Sequence, residues 1–230
     1  MFKIIAHRGA SADAPDNSAE AFELALEQQA DLIETDVRVT ADGVLVLEHD
    51  REIGGLEVQY STLAKLREVK PHLLTVAGAL REFGERLPFC FECKAANIEH
   101  ALIYLARDLL FKPMWQQTEF TSFNFMSALS CQRLLTAFGD SNQVGWLTRQ
   151  WDEDTLHLTK EAGLSQICPP AQTVLDEPEL VARSREAGLN VRVWLVTVPE
   201  IVPDLADAGV YGGTVNFPGA ARRALGSRDS

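Results

Sequence analysis

The chain is short of positive charge, of cysteine and of long apolar runs, and each shortage narrows what it can be. Across 230 residues, 21 Lys and Arg face 33 Asp and Glu, a formal net charge of −12 at pH 7 and a pI of about 4.9. Nucleic-acid binding needs a basic face that neutralises phosphates, so it is excluded as a general activity. A small phosphate ligand is not, because a few local cations or a metal reverse the sign within one pocket. The four cysteines, Cys90, Cys93, Cys131 and Cys168, are too few and too scattered for a disulfide scaffold. Cys90 and Cys93 have C-x-x-C spacing, but residues 88–94 read as a strand, where positions three apart face opposite sides. They cannot chelate together and read as small buried residues. No apolar run approaches the roughly 18 residues of a membrane span. Strand pattern begins by residue 4, which leaves no room for a signal peptide. A soluble, cytoplasmic protein is expected. There is no Walker loop and no G-x-G-x-x-G after any strand pattern, which argues against a nucleotide site. Repeats, low-complexity tracts and Pro- or Ser-rich linkers are absent as well. One domain over residues 1–225 is expected, with 226–230 a frayed tail.

What is present is a globular composition, 46% hydrophobic with a mean hydropathy of −0.06, arranged in alternation. Short β-branched runs cover 3–7, 32–37, 44–49, 89–94, 120–123, 143–147, 165–168, 190–196 and 213–216. Helical spacing covers 18–28, 98–110, 126–138, 178–187 and 200–208. Asn17 or Ser18 is a plausible N-cap for the first helix, and Ala-Gly steps at Gly163, Gly188 and Gly209 close three segments. Strand-then-helix repeated seven or eight times predicts a parallel sheet closed into a barrel, with an open doubly wound sheet as the alternative. One link breaks the rhythm. Between Asp36 and Val44 there is room only for a turn at Asp42-Gly43.

In such a barrel, side chains at the C-terminal ends of strands converge on one mouth. Strand one ends in His7-Arg8, strand two in Glu34-Thr35-Asp36, the strand after the turn in Glu48-His49-Asp50, and the strand at Phe89 in Glu92-Cys93-Lys94. Glu34 and Asp36 share a strand face, with Thr35 opposite, and Glu92 and Lys94 share another. Three carboxylates from two strands can thus meet in one mouth. Unpaired, they repel and their pKa values rise; a divalent cation offsets that, and oxygen-only ligands suit Mg²⁺ or Ca²⁺ over zinc or copper. A turn near residues 41–43 brings His49 back beside Glu34 or Asp36. The competing readings are structural. His7 would be a hydrogen-bonded strand end, Glu34 and Asp36 rim carboxylates paired with Arg38 or Lys94, and Lys94 a core-to-solvent side chain. His72, His100 and His157 lie in loop or helix contexts and suggest no site.

The run His7-Arg8-Gly9, Pro15-Asp16-Asn17-Ser18, Ala21-Phe22, Ala30-Asp31, Glu34-Thr35-Asp36-Val37, Thr40, Asp42-Gly43, His49-Asp50 and Glu92-Cys93-Lys94 resembles the glycerophosphodiester phosphodiesterase family. Fainter likeness continues through Ser122-Phe123, Gly145-Trp146-Leu147, Val193-Trp194, Gly209 to Gly212 and Asn216-Phe217-Pro218. The resemblance implies an irregular TIM (β/α)8 barrel lacking a helix between the second and third strands. It implies that Glu34, Asp36 and Glu92 bind one divalent cation, Mg²⁺ or Ca²⁺, and that His7 and His49 form the acid–base pair. It places Arg8 and Lys94 on the phosphate or glycerol end, Asn17 at the site from the first loop unless it is only an N-cap, and Trp194 at the substrate. The implied reaction hydrolyses glycerophosphodiesters to sn-glycerol 3-phosphate and an alcohol such as choline or ethanolamine. Either water or a neighbouring substrate hydroxyl can be the nucleophile.

Departures from the family pattern are Pro15-Asp16-Asn17-Ser18 for Pro-Glu-Asn-Thr, Trp194-Leu195-Val196-Thr197 for Trp-Thr-Val-Asn, and Tyr211 for an aspartate. The last two lie near strand ends and point to an altered substrate pocket. About 39 residues separate Asp50 from Phe89, enough for a helix or two but not a large cap, so an open mouth is expected. Two alternatives remain. A lysophospholipid-directed phosphodiesterase would expose a wide apolar patch or amphipathic helix at the mouth, for which residues 111–115 are the one modest candidate, although their aromatics read rather as core or lid packing. A barrel that binds phosphodiesters without turnover would be favoured by loss of a histidine or a carboxylate, and none is lost.

Overall fold

Residues 1–226 are described by the computed structural model, in which β-branched and aromatic runs form parallel staves and amphipathic segments pack outside them. The order is β1 (Lys3–His7), α1 (Ala19–Glu27), β2 (Leu32–Val39), β3 (Leu45–Leu47), β4 (Glu52–Ile53), β5 (Leu56–Glu57), α2 (Leu63–Val69) and α3 (Val76–Phe83). It continues with β6 (Phe89–Cys93), α4 (Glu99–Leu109), α5 (Lys112–Trp115), β7 (Glu119–Ser122), α6 (Phe125–Phe138), β8 (Val144–Leu147) and α7 (Glu153–Glu161). The chain then runs through β9 (Gln166–Cys168), α8 (Ala171–Asp176), α9 (Glu179–Glu186), β10 (Asn190–Val196), α10 (Val202–Asp207), β11 (Gly212–Val215) and α11 (Pro218–Gly226). Gly226, assigned to the tail on sequence, closes α11; residues 227–230 lie outside the described residues.

The strands pair in the order β1-β11-β10-β9-β8-β7-β6-β2, and β2 returns to β1, so the parallel sheet closes as a TIM-type barrel. No helix separates β2 from β3. The Asp42-Gly43 turn instead folds β3 back antiparallel on β2, with Val37 opposite Leu47. The run at 44–49 is therefore no stave, and α2 and α3 pack before the third stave, β6. Helix α7 escapes the sequence reading because its buried face is thin and half polar, with Thr155, Leu156 and Thr159.

Alternation along each stave decides which side chains enter the lumen. Ile5, Leu32 and Cys90 form an apolar layer inside, so residues two and four further along, His7, Glu34, Asp36 and Glu92, point the same way. Ile33, Val37, Phe89 and Phe91 face the helices in the main outer core. Cys90 and Cys93 fall on opposite faces: Cys90 meets Arg192, whereas Cys93 lies 4.0 Å from Cys131 on α6. Below the site the lumen is closed by a polar floor. Arg192 donates to Cys90 Sγ (2.8 Å) and Thr214 Oγ1 (2.9 Å), and Glu119 accepts from Tyr211 (2.6 Å) and Gln166 (3.2 Å). Among the described residues no helix is long and apolar enough to cross a membrane.

The link from β1 to α1 depends on Gly9. Its φ is +87°, and an added Cβ would lie 2.6 Å from the Ala21 carbonyl carbon. The glycine lets the chain leave His7-Arg8 and pass directly against α1. Gly9→Ala is expected to cost about 2–4 kcal/mol, from left-handed strain plus overpacking against backbone. A lowered urea midpoint with unchanged slope would show it.

Candidate active site

Strand register assembles the site. His7 pairs with Glu34 between β1 and β2, and Asp36 pairs with Glu92 between β2 and β6. Oxygen atoms of Glu34, Asp36 and Glu92 lie within 4.8 Å of one another, and all three residues are buried. Burial, then repulsion from Asp36, pushes the Glu34 carboxyl up to about 7. Burial also lifts Glu92 to about 7, opposed by Lys94. Asp36 Oδ1 is buried without a hydrogen-bond partner, although Lys94 Nζ is 3.3 Å away as an ion pair. Three converging carboxylates, one with an unpartnered buried oxygen, fit a hard divalent cation.

Cations surround the cluster without neutralising it. Arg8 Nε lies 2.9 Å from Asp36 Oδ2, its Nη1 donates to Asp16 (3.0 Å), and its backbone N–H donates to Glu34 Oε2 (3.2 Å). Lys94 Nζ lies 2.7 Å from Glu92 Oε1. Asn17 donates to Asp36 Oδ2 (3.1 Å) and accepts from Thr35 (2.6 Å). The helix cap is Ser18, which accepts from the Ala21 N–H, so Asn17 is left to the carboxylate cluster. Arg8 and Asn17 both have left-handed backbone, φ 55° and 53°. For Arg8 that strain is of order 1–3 kcal/mol, held by its bonds to Glu34, Asp36 and Asp16.

Two imidazoles face the mouth, His7 from the end of β1 and His49 from the bend after β3. His7 Nδ1 lies 2.6 Å from Asn216 Oδ1 at the end of β11, so the ring donates there and Nε2 keeps its lone pair. Burial, reinforced by the Arg8 charge, holds its pKa below the ordinary histidine value. His49 Nδ1 lies 2.7 Å from Asp50 Oδ1. The His49 carbonyl accepts from Arg38 Nε (3.0 Å) and Nη2 (2.7 Å). Arg38 therefore holds the His49 backbone, in place of the ion pair with Glu34 or Asp36 that the sequence had allowed.

These groups open into a pocket of about 760 Å³, lined also by Trp194, Phe123, Arg149 and Phe217, a size common for small-ligand sites. Trp194 donates to the Cys168 carbonyl (3.1 Å) and packs edge-on against Phe123, with centroids 5.2 Å apart. Leu195 follows a register shift in β10, at φ 58°, and stands exposed at the rim. Asn216 and Arg149 were not singled out as site residues on sequence. Asn216 stood there only as part of a faint C-terminal likeness, and nothing local marks a loop arginine.

One expectation about the pocket is corrected, and residues 111–115 follow the packing reading of their aromatics. Tyr211 precedes β11 and bonds Glu119 at the floor, so its departure from the family pattern does not touch the mouth. Residues 111–115 lie before β7, at the opposite end of the barrel, where Trp115 is buried in the outer core; they form no patch at the mouth.

Residues 7–92 match the glycerophosphoryl diester phosphodiesterase family. YhdW of Bacillus subtilis, named for that activity, is 52% identical over 236 residues, which cover 94% of each chain. Glycerophosphodiester phosphodiesterase 1 of Mycobacterium tuberculosis is 47% identical over 72 residues, and the aligned part covers 26% of that protein's length. A crystal structure of a glycerophosphodiester phosphodiesterase from Parabacteroides distasonis superposes with a TM-score of 0.84 at 26% identity, covering 100% of this chain and 98% of the other. Sequence, closed barrel and site geometry agree, and the chain belongs to the glycerophosphodiester phosphodiesterase family, a family of phosphoric diester hydrolases.

Proposed function

We propose that the protein hydrolyses glycerophosphodiesters to sn-glycerol 3-phosphate and an alcohol, using one divalent cation, Mg²⁺ or Ca²⁺, held by Glu34, Asp36 and Glu92. The observation that carries this reading is the buried three-carboxylate cluster beneath a pocket that also presents two oriented imidazoles. When bound, the cation would polarise phosphoryl oxygens and offset charge that builds in the transition state. The remaining work falls to the chain's own residues.

Arg8 and Lys94 sit between the carboxylates and the pocket, placed to hold the phosphate and align the scissile bond. His7 acts as the base. Its lowered pKa keeps it neutral near pH 7, and the Asn216 contact leaves Nε2 free to take the proton of the attacking oxygen. His49 acts as the acid. The Nδ1 hydrogen bond to Asp50 fixes the ring, so that Nε2 is the nitrogen that delivers a proton to the departing alkoxide. The attacking oxygen belongs to water or to the neighbouring glycerol hydroxyl, the latter forming a cyclic phosphate that water then opens. Asn17 braces Asp36 from behind, and Trp194 walls the pocket against Phe123.

The test is release of glycerol 3-phosphate from glycerophosphocholine and glycerophosphoethanolamine with Mg²⁺, with Ca²⁺ and with chelator. Release with a divalent cation and none with chelator is expected. Equal rates with and without chelator would remove the cation from the reaction.

A further inference from the structure

The pocket rim is strongly cationic in a chain whose net charge is −12. Arg38, Arg51 and Arg149 line it, outside the Arg8 and Lys94 pair that meets the carboxylates. Arg149, in the loop after β8, lies over the Phe123 ring at 5.1 Å, and Lys94 lies over the same ring at 5.7 Å. Phe123, itself braced by Trp194, thus contacts both this arginine and the lysine that faces the phosphate position. Among the described residues no carboxylate pairs with Arg149 or Arg51. An aromatic ring positions the Arg149 guanidinium, yet its hydrogen-bonding edge has no acidic partner. The rim near β10 and β11 is instead apolar, with Leu195 and Phe217.

We infer that the enzyme takes glycerophosphodiesters whose leaving alcohol carries a second anionic group, and that Arg149 and Arg51 hold that group at the rim. This rests on the hydrolase reading above and names the substrate class of the same site. The scissile phosphate occupies Arg8 and Lys94, and the alcohol extends outward over Phe123. A phosphate on that alcohol meets Arg149, whereas a choline ammonium there is repelled. Arg149 acts as a specificity residue and takes no part in proton transfer.

The experiment compares kcat/KM for three diesters of sn-glycerol 3-phosphate, with glycerol phosphate, glycerol and choline as the alcohol. In the wild type the anionic diester is expected to exceed the neutral one by about three- to fivefold at low salt, the upper end of exposed charge pairs. That ratio falls toward one as salt rises, because rim charges are screened. Arg149→Gln should bring the ratio within about twofold of one through KM, and Arg149→Lys should restore part of it. Equal kcat/KM for the three substrates in the wild type, or a ratio unmoved by Arg149→Gln, would overturn the inference while leaving the hydrolase reading intact. Turnover of no diester at all would overturn the reading on which it rests.

Discussion

Replacing Glu34 with glutamine is expected to abolish divalent-cation binding and to lower kcat/KM by about 10³-fold or more, the several kcal/mol that a positioned cation supplies. Glutamine keeps the shape and can still accept the Arg8 backbone N–H that Glu34 Oε2 now holds at 3.2 Å, so the strained Arg8 backbone retains its anchor. The pH dependence of stability separates loss of the cation from loss of the fold. Glu34 is raised from 4.5 to about 7 by burial and by Asp36. A group raised in this way supports the fold while protonated. Its contribution is full below about pH 4.5 and is lost as pH rises through about 7. At pH 8 the cation-free wild type carries the cost of that buried charge, on the order of 3 kcal/mol. Cation-free Glu34→Gln should therefore exceed cation-free wild type in Tm at pH 8 and approach it near pH 5. Added Mg²⁺ or Ca²⁺ should raise the wild-type Tm, more so above pH 7, and leave the variant unmoved. A variant that kept both the cation-induced rise and the rate would place the cation elsewhere.

His7→Ala should cost about 10²–10⁴ in kcat/KM, the usual contribution of a positioned acid or base, while the cation-dependent rise in Tm persists. The pH profile assigns the role. His7 loses its proton below the ordinary histidine value because burial and Arg8 disfavour the imidazolium. The acid limb of the wild-type kcat/KM profile should therefore lie below pH 6.5, and it should disappear in His7→Ala. His49→Ala should lose a comparable factor while keeping the acid limb. Asn216→Ala, which takes away the 2.6 Å partner of His7 Nδ1, should show a smaller loss with an altered acid limb, since the ring keeps its place in the lumen but not its tautomer. If His49→Ala also removed the acid limb, the division of roles between the two histidines would be wrong.

The alternation of the barrel was legible because helices and staves bury different periodicities: the eight staves and α1, α4, α6, α9 and α10 lie where the spacing put them. The tight link before β3 was legible as well, since seven residues with Asp42-Gly43 leave no length for a helix. The direction of β3 was not. A short apolar run reads the same whether it pairs parallel in the barrel or folds back on its neighbour, and only the pairing of Val37 with Leu47 distinguishes them. Helix α7 was missed for a related reason, because a half-polar buried face carries little periodic signal.

At the site, the sequence by itself determined which residues could act together along one strand. A period of two puts Glu34 with Asp36, and Glu92 with Lys94, whatever surrounds them. It also supplied the chemistry: carboxylates for a hard cation and imidazoles for protons near neutrality. Tertiary structure alone decided the pairings between strands. Asp36 stands beside Glu92, His7 beside Glu34, and Asn216 reaches a histidine 209 positions earlier. The same closure drew Arg149 onto Phe123 and sent Tyr211 to the floor. Register between distant staves follows from the packing of the whole closed sheet, so no local stretch of chain encodes it, whereas the face a residue occupies on its own strand is set by backbone geometry alone.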